Sequence, residues 1–334
     1  MATADVTVMG AGIFGLSVAY ACARRGACVR VIDPNGVAAG SSGGIVGALA
    51  PHVPENWNEK KAFQFDSLIS ATDFWRDIAT LTNADVGYAR TGRLQPLADD
   101  RAVQLARARA ESAAALWQSH AMWEVIPVPD TAWVPPSPTG LVIRDTLSAL
   151  IHPRLATHAL AKAVSALGGE VCADGPHEGA VVWATGWPGV QEVGGTGVKG
   201  QAVLLDYHAA GQPQLFADSL HIIPHRNGTV AIGSTSEREF DDPAKTDTAL
   251  DDVLVRAIKA CPMLADAPVI ERWAGVRPRS KSRAPILGLH PTRPGQFIAN
   301  GGFKIGFGMA PKVGHVMADL ILDGQDAIPM GFRA

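Results

Sequence analysis

The hexapeptide Gly10-Ala11-Gly12-Ile13-Phe14-Gly15 decides the fold, because it stands between two short runs of β-branched residues. The runs at residues 5–9 (DVTVM) and 28–32 (CVRVI) predict strands, and the alanine-rich, aliphatic residues 13–25 predict a buried helix between them. A strand, a glycine turn, a helix and a second strand in succession form a βαβ unit, which requires a parallel sheet. This stretch therefore predicts an α/β fold.

Each glycine of the hexapeptide has a physical role in binding a dinucleotide. Gly10 permits a tight turn, Gly12 lets the backbone approach a pyrophosphate, and Gly15 lets the helix pack closely on the strand. Asp33 ends the second strand, where a carboxylate accepts a hydrogen bond from a ribose hydroxyl. The alternative is a glycine turn kept only for packing, and the motif by itself does not choose between NAD and FAD.

Glycine is frequent in the chain and is concentrated in further loops. The 35 glycines are about a tenth of the 334 residues, against a usual ~7%. The loops at 40–47 (GSSGGIVG) and 301–308 (GGFKIGFG) offer exposed amides, although a flexible surface loop is the alternative for the first. Gly186 follows the buried run 182–185 (VWAT) at a strand's carboxyl end, where ligands of open α/β sheets bind. Three glycine-rich loops exceed the needs of one nucleotide and suit a long cofactor such as FAD.

Composition excludes several classes of protein. The chain has 29 Lys and Arg against 32 Asp and Glu, and a net charge of −3 does not suit a nucleic-acid binder or a polybasic membrane anchor. No apolar run reaches the ~18 residues of a membrane span, and the start of the sequence lacks the basic segment of a signal peptide. The four cysteines form no CxxC pair, so we expect reduced thiols and a cytoplasmic protein.

The domain organisation follows from length and pattern. A chain of 334 residues corresponds to about two domains. Asn227-Gly228 between two alternating runs predicts a β-hairpin. The patterns on both sides predict a Rossmann-like FAD-binding domain with a parallel sheet, interrupted by a smaller antiparallel α+β substrate domain. The predicted boundaries are 1–80, 138–190 and 271–334 for the FAD-binding domain, and 81–137 and 191–270 for the substrate domain.

A basic segment at 272–283 (RWAGVRPRSKSR) contains five basic residues and no acid. Its simplest interpretation is a solvated basic face. However, Arg277 lies just before Pro278 in a semi-rigid, partly apolar setting, which suits bidentate capture of a carboxylate. His221 and His225 are four residues apart, but they lie on a predicted strand rather than a helix, so we expect no metal site.

With these segments in order, the chain resembles the FAD-dependent D-amino-acid oxidase family, and most of all its glycine-oxidase-like branch. The segments that carry the resemblance span nearly the whole length: VTVMGAGIFGLSVAYACARRGACVRVID (6–33), SSGGIVGALAPH (41–52), RTGRL (90–94), VVWATGW (181–187), VKGQ (198–201), HIIPHRNGTVAIGST (221–235), WAGVRP (273–278), APILG (284–288) and GGFKIGFGMAP (301–311). The resemblance implies a two-domain flavoprotein in which Arg277 holds the substrate carboxylate. It implies non-covalent FAD, because neither 272–286 nor 300–311 contains the cysteine that tethers flavin in sarcosine-oxidase relatives.

The resemblance and the motifs together define the candidate site. The candidate cofactor-binding residues are Gly10, Gly12, Ile13, Phe14, Gly15, Asp33, Ser41, Ser42, Gly44, Gly186, Gly301, Gly302, Phe303, Lys304, Gly306 and Phe307. The candidate catalytic and substrate-binding residues are Arg277, His221, Lys304 and His52. Two of them depart from the family pattern, which often has tyrosine at the position of His221 and arginine at that of Lys304, so we expect different substrate recognition. Residues 170–180 are also shorter than the corresponding family segment.

The expected function is oxidation of a small amino acid or secondary amine, of the glycine, D-amino-acid or N-alkyl glycine class, by hydride transfer to FAD with dioxygen as acceptor. The alternatives are action on a carboxymethylamino group of a larger substrate, as in tRNA wobble-uridine modifying relatives, a non-catalytic flavin or nucleotide sensor, and an NAD dehydrogenase. The expected partners are the small substrate and dioxygen, with neither nucleic acid nor membrane. A homo-oligomer is compatible with the sequence.

Overall fold

The computed structural model describes residues 3–334 and contains two large sheets with helices packed on them. The strands are β1 (Val6–Met9), β2 (Val29–Ile32), β3 (Ala48–Leu49), β4 (Arg93–Pro96), β5 (Trp123–Pro127), β6 (Leu141–Asp145), β7 (Ala149–Leu150), β8 (Glu170–Cys172), β9 (Ala180–Trp183), β10 (Thr196–Asp206), β11 (Gln214–Ala217), β12 (Leu220–Pro224), β13 (Thr229–Gly233), β14 (Val269–Arg279), β15 (Ile286–Leu289) and β16 (Phe297–Asn300). The α-helices are α1 (Ile13–Arg24), α2 (Glu59–Thr82), α3 (Asp100–Leu116), α4 (Pro153–Ala166), α5 (Gly186–Glu192), α6 (Ala249–Ala260) and α7 (Gly306–Asp323).

The first sheet has six strands in the order β15-β16-β9-β1-β2-β8. All its neighbouring pairs are parallel except β15 with β16. Helices α1, α2, α4 and α7 share one hydrophobic core with the buried valines of β1 and β2. A parallel sheet needs such cover on its faces, which is why its strands are almost wholly apolar. The predicted parallel α/β architecture is confirmed.

The second sheet has eight strands in the order β14-β10-β13-β12-β11-β4-β6-β5. Its pairs are antiparallel except β4 with β11. The hairpin predicted around Asn227-Gly228 is present as β12 and β13, and Gly228 has a φ of +87° as its turn requires. Helix α6 packs on this sheet around a separate core that includes Val253 and Leu264.

Sheet membership differs from two of the predicted domain boundaries. Strand β6 lies within the segment 138–190, which we assigned to the FAD-binding domain, yet it pairs with β4 and β5 of the eight-stranded sheet. Most of β14 lies in the segment 271–334, but it pairs with β10 along nearly its whole length. Alternating apolar residues predict a strand without specifying its partner, so these assignments required the long-range pairing. The division into domains remains a proposal.

The turn from β1 into α1 brings backbone segments into close contact. Gly10 has a φ of +113°, and a Cβ atom on it would lie 2.4 Å from the carbonyl oxygen of Ala184, just after β9. A Cβ atom on Gly15 would lie 2.0 Å from the carbonyl oxygen of Gly10. Only glycine at both positions allows helix α1 to approach the sheet this closely.

Candidate active site

A cavity of about 920 Å³ lies between the two sheets, at the carboxyl ends of β1, β9 and β16. Most of the candidate residues line it: Gly10, Gly12, Ile13, Phe14, Asp33, Ser41, Ser42, Gly44, Gly186, Arg277, His221, Gly302, Phe303, Lys304, Gly306 and Phe307. Three candidates are not among its lining residues: Gly15, Gly301 and His52. The structure therefore gathers residues that are far apart in sequence around one elongated space.

The N-terminus of α1 opens into this cavity. The backbone amide of Ile13 donates to Oγ of the buried Ser42 over 3.0 Å, which fixes the 41–43 turn against the helix. A Cβ atom on Gly12 would meet only that same Oγ atom, at 3.2 Å, so the cavity side of Gly12 is open. A helix N-terminus carries partial positive charge and free amides, so this end of the cavity suits a phosphate group.

Asp33 lies beside the same turn, at the end of β2. Its carboxylate accepts hydrogen bonds from the amides of Ala11 at 2.9 Å and Asn35 at 3.0 Å. A carboxylate has about four acceptor sites, so two stay free for further donors. Among the described residues that line the cavity, Asp33 is the only acidic one. Its position agrees with the predicted role of accepting from a ribose hydroxyl.

Asn300, which ends β16, joins two of the glycine loops. Its side-chain amide nitrogen donates to the carbonyl of Gly186 over 2.9 Å, and its Oδ1 accepts from the amide of Gly301 over 2.8 Å. The amide of Phe303 donates to the carbonyl of Pro278 over 3.1 Å, which ties the last loop to the eight-stranded sheet. Helix α7 then begins at the cavity wall, so its positive end faces the same space.

Arg277 reaches the cavity from β14. One terminal nitrogen, Nη2, donates to Oγ of Ser234 over 2.6 Å and to the carbonyl of Thr235 over 3.1 Å. The other, Nη1, is buried and has no hydrogen-bond partner within residues 3–334. Burial lowers the pKa of this guanidinium to about 10, and the charge of Glu237 partly opposes that shift. Arg277 remains a cation with one unsatisfied donor edge.

His221 and Lys304 share this part of the cavity with Arg277. Burial, reinforced by the charges of Arg93 and Lys304, lowers the pKa of His221 to about 3, so its imidazole is neutral near pH 7. Its Nδ1 is buried and lacks a partner in the described part of the chain. Burial and the neighbouring charge of Arg277 lower the pKa of Lys304. The cavity therefore combines two cationic side chains with one neutral imidazole.

Three candidate residues act elsewhere. His52 turns away: its backbone amide donates to Oε1 of Gln64 over 2.7 Å, and its ring also contacts that oxygen. The interpretation of His52 as a spare base stays a prediction; its ring lies against Gln64, and His52 is not among the residues that line the cavity. Gly15 serves helix packing, and Gly301 is a buried loop position with a φ of +75°.

The sequence interpretation missed several parts of the cavity wall. The ring of Phe216 lies tilted against that of His221, with centroids 4.7 Å apart, and Trp273 packs beside Gly44. Ser234 and Thr235, which hold Arg277, belong to the VAIGST segment but carried no signal of that role. The contacts of Arg277 across the sheet depend on the pairing of β14 with β10.

Neither a metal-binding cluster nor a membrane-spanning helix is found among residues 3–334. No group of three His, Cys, Asp or Glu side chains within residues 3–334 is arranged to hold a metal ion. Within that same range, no helix combines the length with the apolarity that crossing a bilayer requires.

The glycine turn after β1, the acid after β2 and the elongated cavity define a dinucleotide-binding protein built from two sheets. Residues 5–320 match the family model of the FAD-dependent oxidoreductases (DAO), and the chain belongs to this family. The match confirms the resemblance seen in the sequence, and FAD is the cofactor.

Curated relatives are similar to this chain over part of their own length. It is 25% identical to the bifunctional protein ThiO/ThiG of Nostoc sp. over 354 residues, which cover 96% of this chain and 53% of that protein. It is 34% identical to the glycine oxidase of Pseudomonas aeruginosa over 132 residues, which cover 39% of this chain and 36% of that protein. The chain thus spans about half the length of the first relative and about a third of the second.

Solved structures share the fold over the whole chain. The crystal structure of glycine oxidase from Geobacillus kaustophilus superposes with a TM-score of 0.85 at 19% identity, covering 99% of this chain and 98% of that one. Iminodiacetate oxidase from Chelativorans sp. gives a TM-score of 0.84 at 22% identity, with 97% of each chain covered. The two-sheet architecture is therefore shared with these oxidases.

The residues present fit FAD. The open N-terminus of α1 beside Gly12 and Ser42 suits the pyrophosphate, and Asp33 suits a ribose. The 300–307 loop and the first turn of α7 present amides to the remaining length of the cavity. Cysteine does not occur among its described lining residues, which agrees with non-covalent binding.

Gly12→Val should separate cofactor binding from folding. The added methyl groups enter the space reserved for the pyrophosphate, whereas the protein around them offers only Ser42 as a close neighbour. We expect FAD affinity to fall at least about 100-fold while the circular dichroism spectrum stays unchanged. Gly15→Val, which overlaps the backbone of Gly10, should instead lower the yield of folded protein. Equal FAD affinity in Gly12→Val and wild type would contradict this placement of the phosphates.

The neutral state of His221 predicts a pH dependence of stability. This histidine has a pKa of about 6.5 in the unfolded chain and about 3 in the folded chain. The contribution of its neutral form to the free energy of unfolding is therefore fully present above pH 6.5 and is lost as the pH falls towards 3. His221→Asn should remove about 1.5 kcal/mol of the stability change between pH 6.5 and pH 5, measured by urea unfolding with excess FAD. The exposed His158→Asn is the matched control. If His221→Asn kept the pH dependence of the wild type, a group other than His221 would be responsible for the loss of stability between pH 6.5 and pH 5.

Proposed function

We propose that this chain oxidises a small amino acid or N-substituted amino acid at its α-carbon, with bound FAD as the hydride acceptor. The observation that carries the proposal is Arg277, a half-buried guanidinium that lines the cavity and whose Nη1 has no hydrogen-bond partner within residues 3–334. The names of the glycine oxidase and iminodiacetate oxidase relatives support the same substrate class.

Arg277 is suited to anchor a carboxylate. A buried cation without a counter-ion is costly, and an anionic ligand supplies the missing charge. The guanidinium fork matches a carboxylate with two parallel hydrogen bonds, whereas one ammonium group does not reproduce that geometry. Ser234 and Thr235 both accept from Nη2, which fixes the position of the guanidinium and leaves Nη1 as the terminal nitrogen without a partner in the described chain.

The charges around the cavity favour a neutral amine. Asp33 lies at the ribose position, and no other described lining residue is acidic, so nothing there would pair with a substrate ammonium. Lys304 and Arg277 add positive potential, which lowers the pKa of a bound amine. A neutral amine has the lone pair that assists loss of hydride from the α-carbon, so no side chain need act as a base. His221 contributes shape and a hydrogen-bonding nitrogen rather than charge.

The cofactor supplies a two-electron acceptor for the hydride when it is bound. The protein favours that transfer by its fixed dipoles: the loop amides and the N-terminus of α7 stabilise negative charge at the cavity wall. The imine product then hydrolyses in water. Dioxygen as the final acceptor is part of the proposal and is supported by the relatives named as oxidases.

Arg277→Ala should weaken both binding and reduction. Loss of two charge-assisted hydrogen bonds is worth about 3 kcal/mol, or about 100-fold in the apparent Kd of a carboxylate-bearing amine. Arg277→Lys should lose about tenfold, because it retains charge but not the fork. The measurement is anaerobic stopped-flow reduction of the holoenzyme by glycine, sarcosine and D-alanine. Arg272→Ala, on the same strand but paired with Asp251 at the surface, is the matched control. If Arg277→Ala and the wild type showed equal kinetics, Arg277 would not be the residue that binds the substrate carboxylate.

A further inference from the structure

A segment that we call the strap, residues 234–248, links β13 to α6 and forms part of the cavity wall. Ser234, Pro243 and Ala244 of the strap line the cavity. Near its middle, Phe240 packs edge-on against Trp187 of α5, with ring centroids 5.7 Å apart. The strap therefore lies between the substrate region and solvent, and it also supplies both partners of Arg277.

One buried glutamine holds both ends of the strap. Gln201 of β10 is completely buried, and its Nε2 donates to Oε1 of Glu237 over 3.1 Å and to Oδ1 of Asp247 over 2.8 Å. Its Oε1 accepts from the amide of Asp247 over 2.8 Å. Its backbone also bonds to Thr235 in both directions. All of these bonds are directed at the strap.

Lys199, two residues earlier on β10, holds the same two acids through charge. It is only 3% exposed, and its Nζ lies 3.6 Å from Oε2 of Glu237 and 3.7 Å from Oδ2 of Asp247. Its backbone amide and carbonyl also pair with Glu237. A buried lysine requires anionic partners, so Lys199 and Glu237 fix each other.

Glu237 is linked to Arg277 through its charge and through Thr235. Its charge acts on Arg277. Thr235 connects the two groups, since its carbonyl accepts from Arg277 and its hydroxyl contacts Oε1 of Glu237. Only Gly200 separates Lys199 from Gln201, and a Cβ atom there would lie 1.7 Å from Nη2 of Arg277, so the guanidinium passes directly over this strand.

We propose that Lys199 and Gln201 are positioning residues that keep the Glu237 carboxylate occupied, and so leave the free edge of Arg277 open for the carboxylate of the substrate. The inference rests on the proposed function of Arg277. Without Lys199, the carboxylate of Glu237 loses its cation and turns to the guanidinium of Arg277. It then occupies the position that the carboxylate of the substrate would take.

The test uses acetate as a carboxylate probe and acetamide as its neutral counterpart. Binding to the holoenzyme is followed by the change in flavin absorbance at constant ionic strength, which needs no turnover. We expect Lys199→Met to raise the Kd of acetate about tenfold, and Gln201→Leu to raise it in the same direction. Lys199→Met/Glu237→Gln should return to within about twofold of wild type, because a neutral amide does not compete for Arg277. Glu237→Gln alone should not weaken acetate binding.

The controls separate competition from damage to the fold. Lys245→Met removes an exposed strap lysine that pairs with Asp242, and it should bind acetate as the wild type does. An unchanged Kd in Lys199→Met would overturn the inference, as would failure of the added Glu237→Gln to restore binding, since the loss would then be structural. Absence of an acetate response in every protein, wild type included, would instead overturn the carboxylate anchor itself, and the inference with it.

Discussion

Three stretches of backbone meet at the turn between β1 and α1, and they can meet only where no Cβ atom intervenes. Side chains on Gly10 or Gly15 would place carbon within 2.0–2.4 Å of carbonyl oxygens, far inside van der Waals contact. This constraint sets the distance between α1 and the six-stranded sheet, and it leaves the helix N-terminus open to the cavity. The phosphate position, the Asp33 position and the adjoining Gly186 loop all depend on that closeness.

Charge is the second constraint, and it concerns the other part of the cavity. Arg277 and Lys304 are cations at the cavity wall that form no ion pair with an acid of the described chain, and His221 beside them is held neutral. Removing the half-buried Arg277 from water costs free energy, and an anionic ligand recovers that cost. Glu237, whose charge acts on Arg277, is instead bound by Lys199 and Gln201. In the proposed account, binding of a carboxylate thus depends also on residues that do not touch it.

Local signals predicted the βαβ unit, the hairpin at Asn227-Gly228 and 16 of the residues that line the cavity, because glycine turns and periodicity act over a few residues. Contacts between distant segments were beyond such signals. These contacts depend on which segments become neighbours in the folded chain. They include the pairing of β6 with β4, the pairing of β14 with β10, the contact of His52 with Gln64, and the hydrogen bonds from Arg277 to Ser234 and Thr235. The VKGQ segment was identified by resemblance. Its contacts with the strap, made by Lys199 and Gln201, depend on the position of β10 in the folded chain.

The most direct test of the account is anaerobic titration of the purified holoenzyme with paired ligands, namely amino acids and N-alkyl glycines together with their decarboxylated amines. Flavin absorbance reports reduction of the cofactor. The account predicts bleaching by at least one carboxylate-bearing amine and none by its decarboxylated counterpart at the same concentration. A flavin that dithionite reduces but that no member of the panel bleaches would contradict it, and would indicate a flavin-binding protein without this activity.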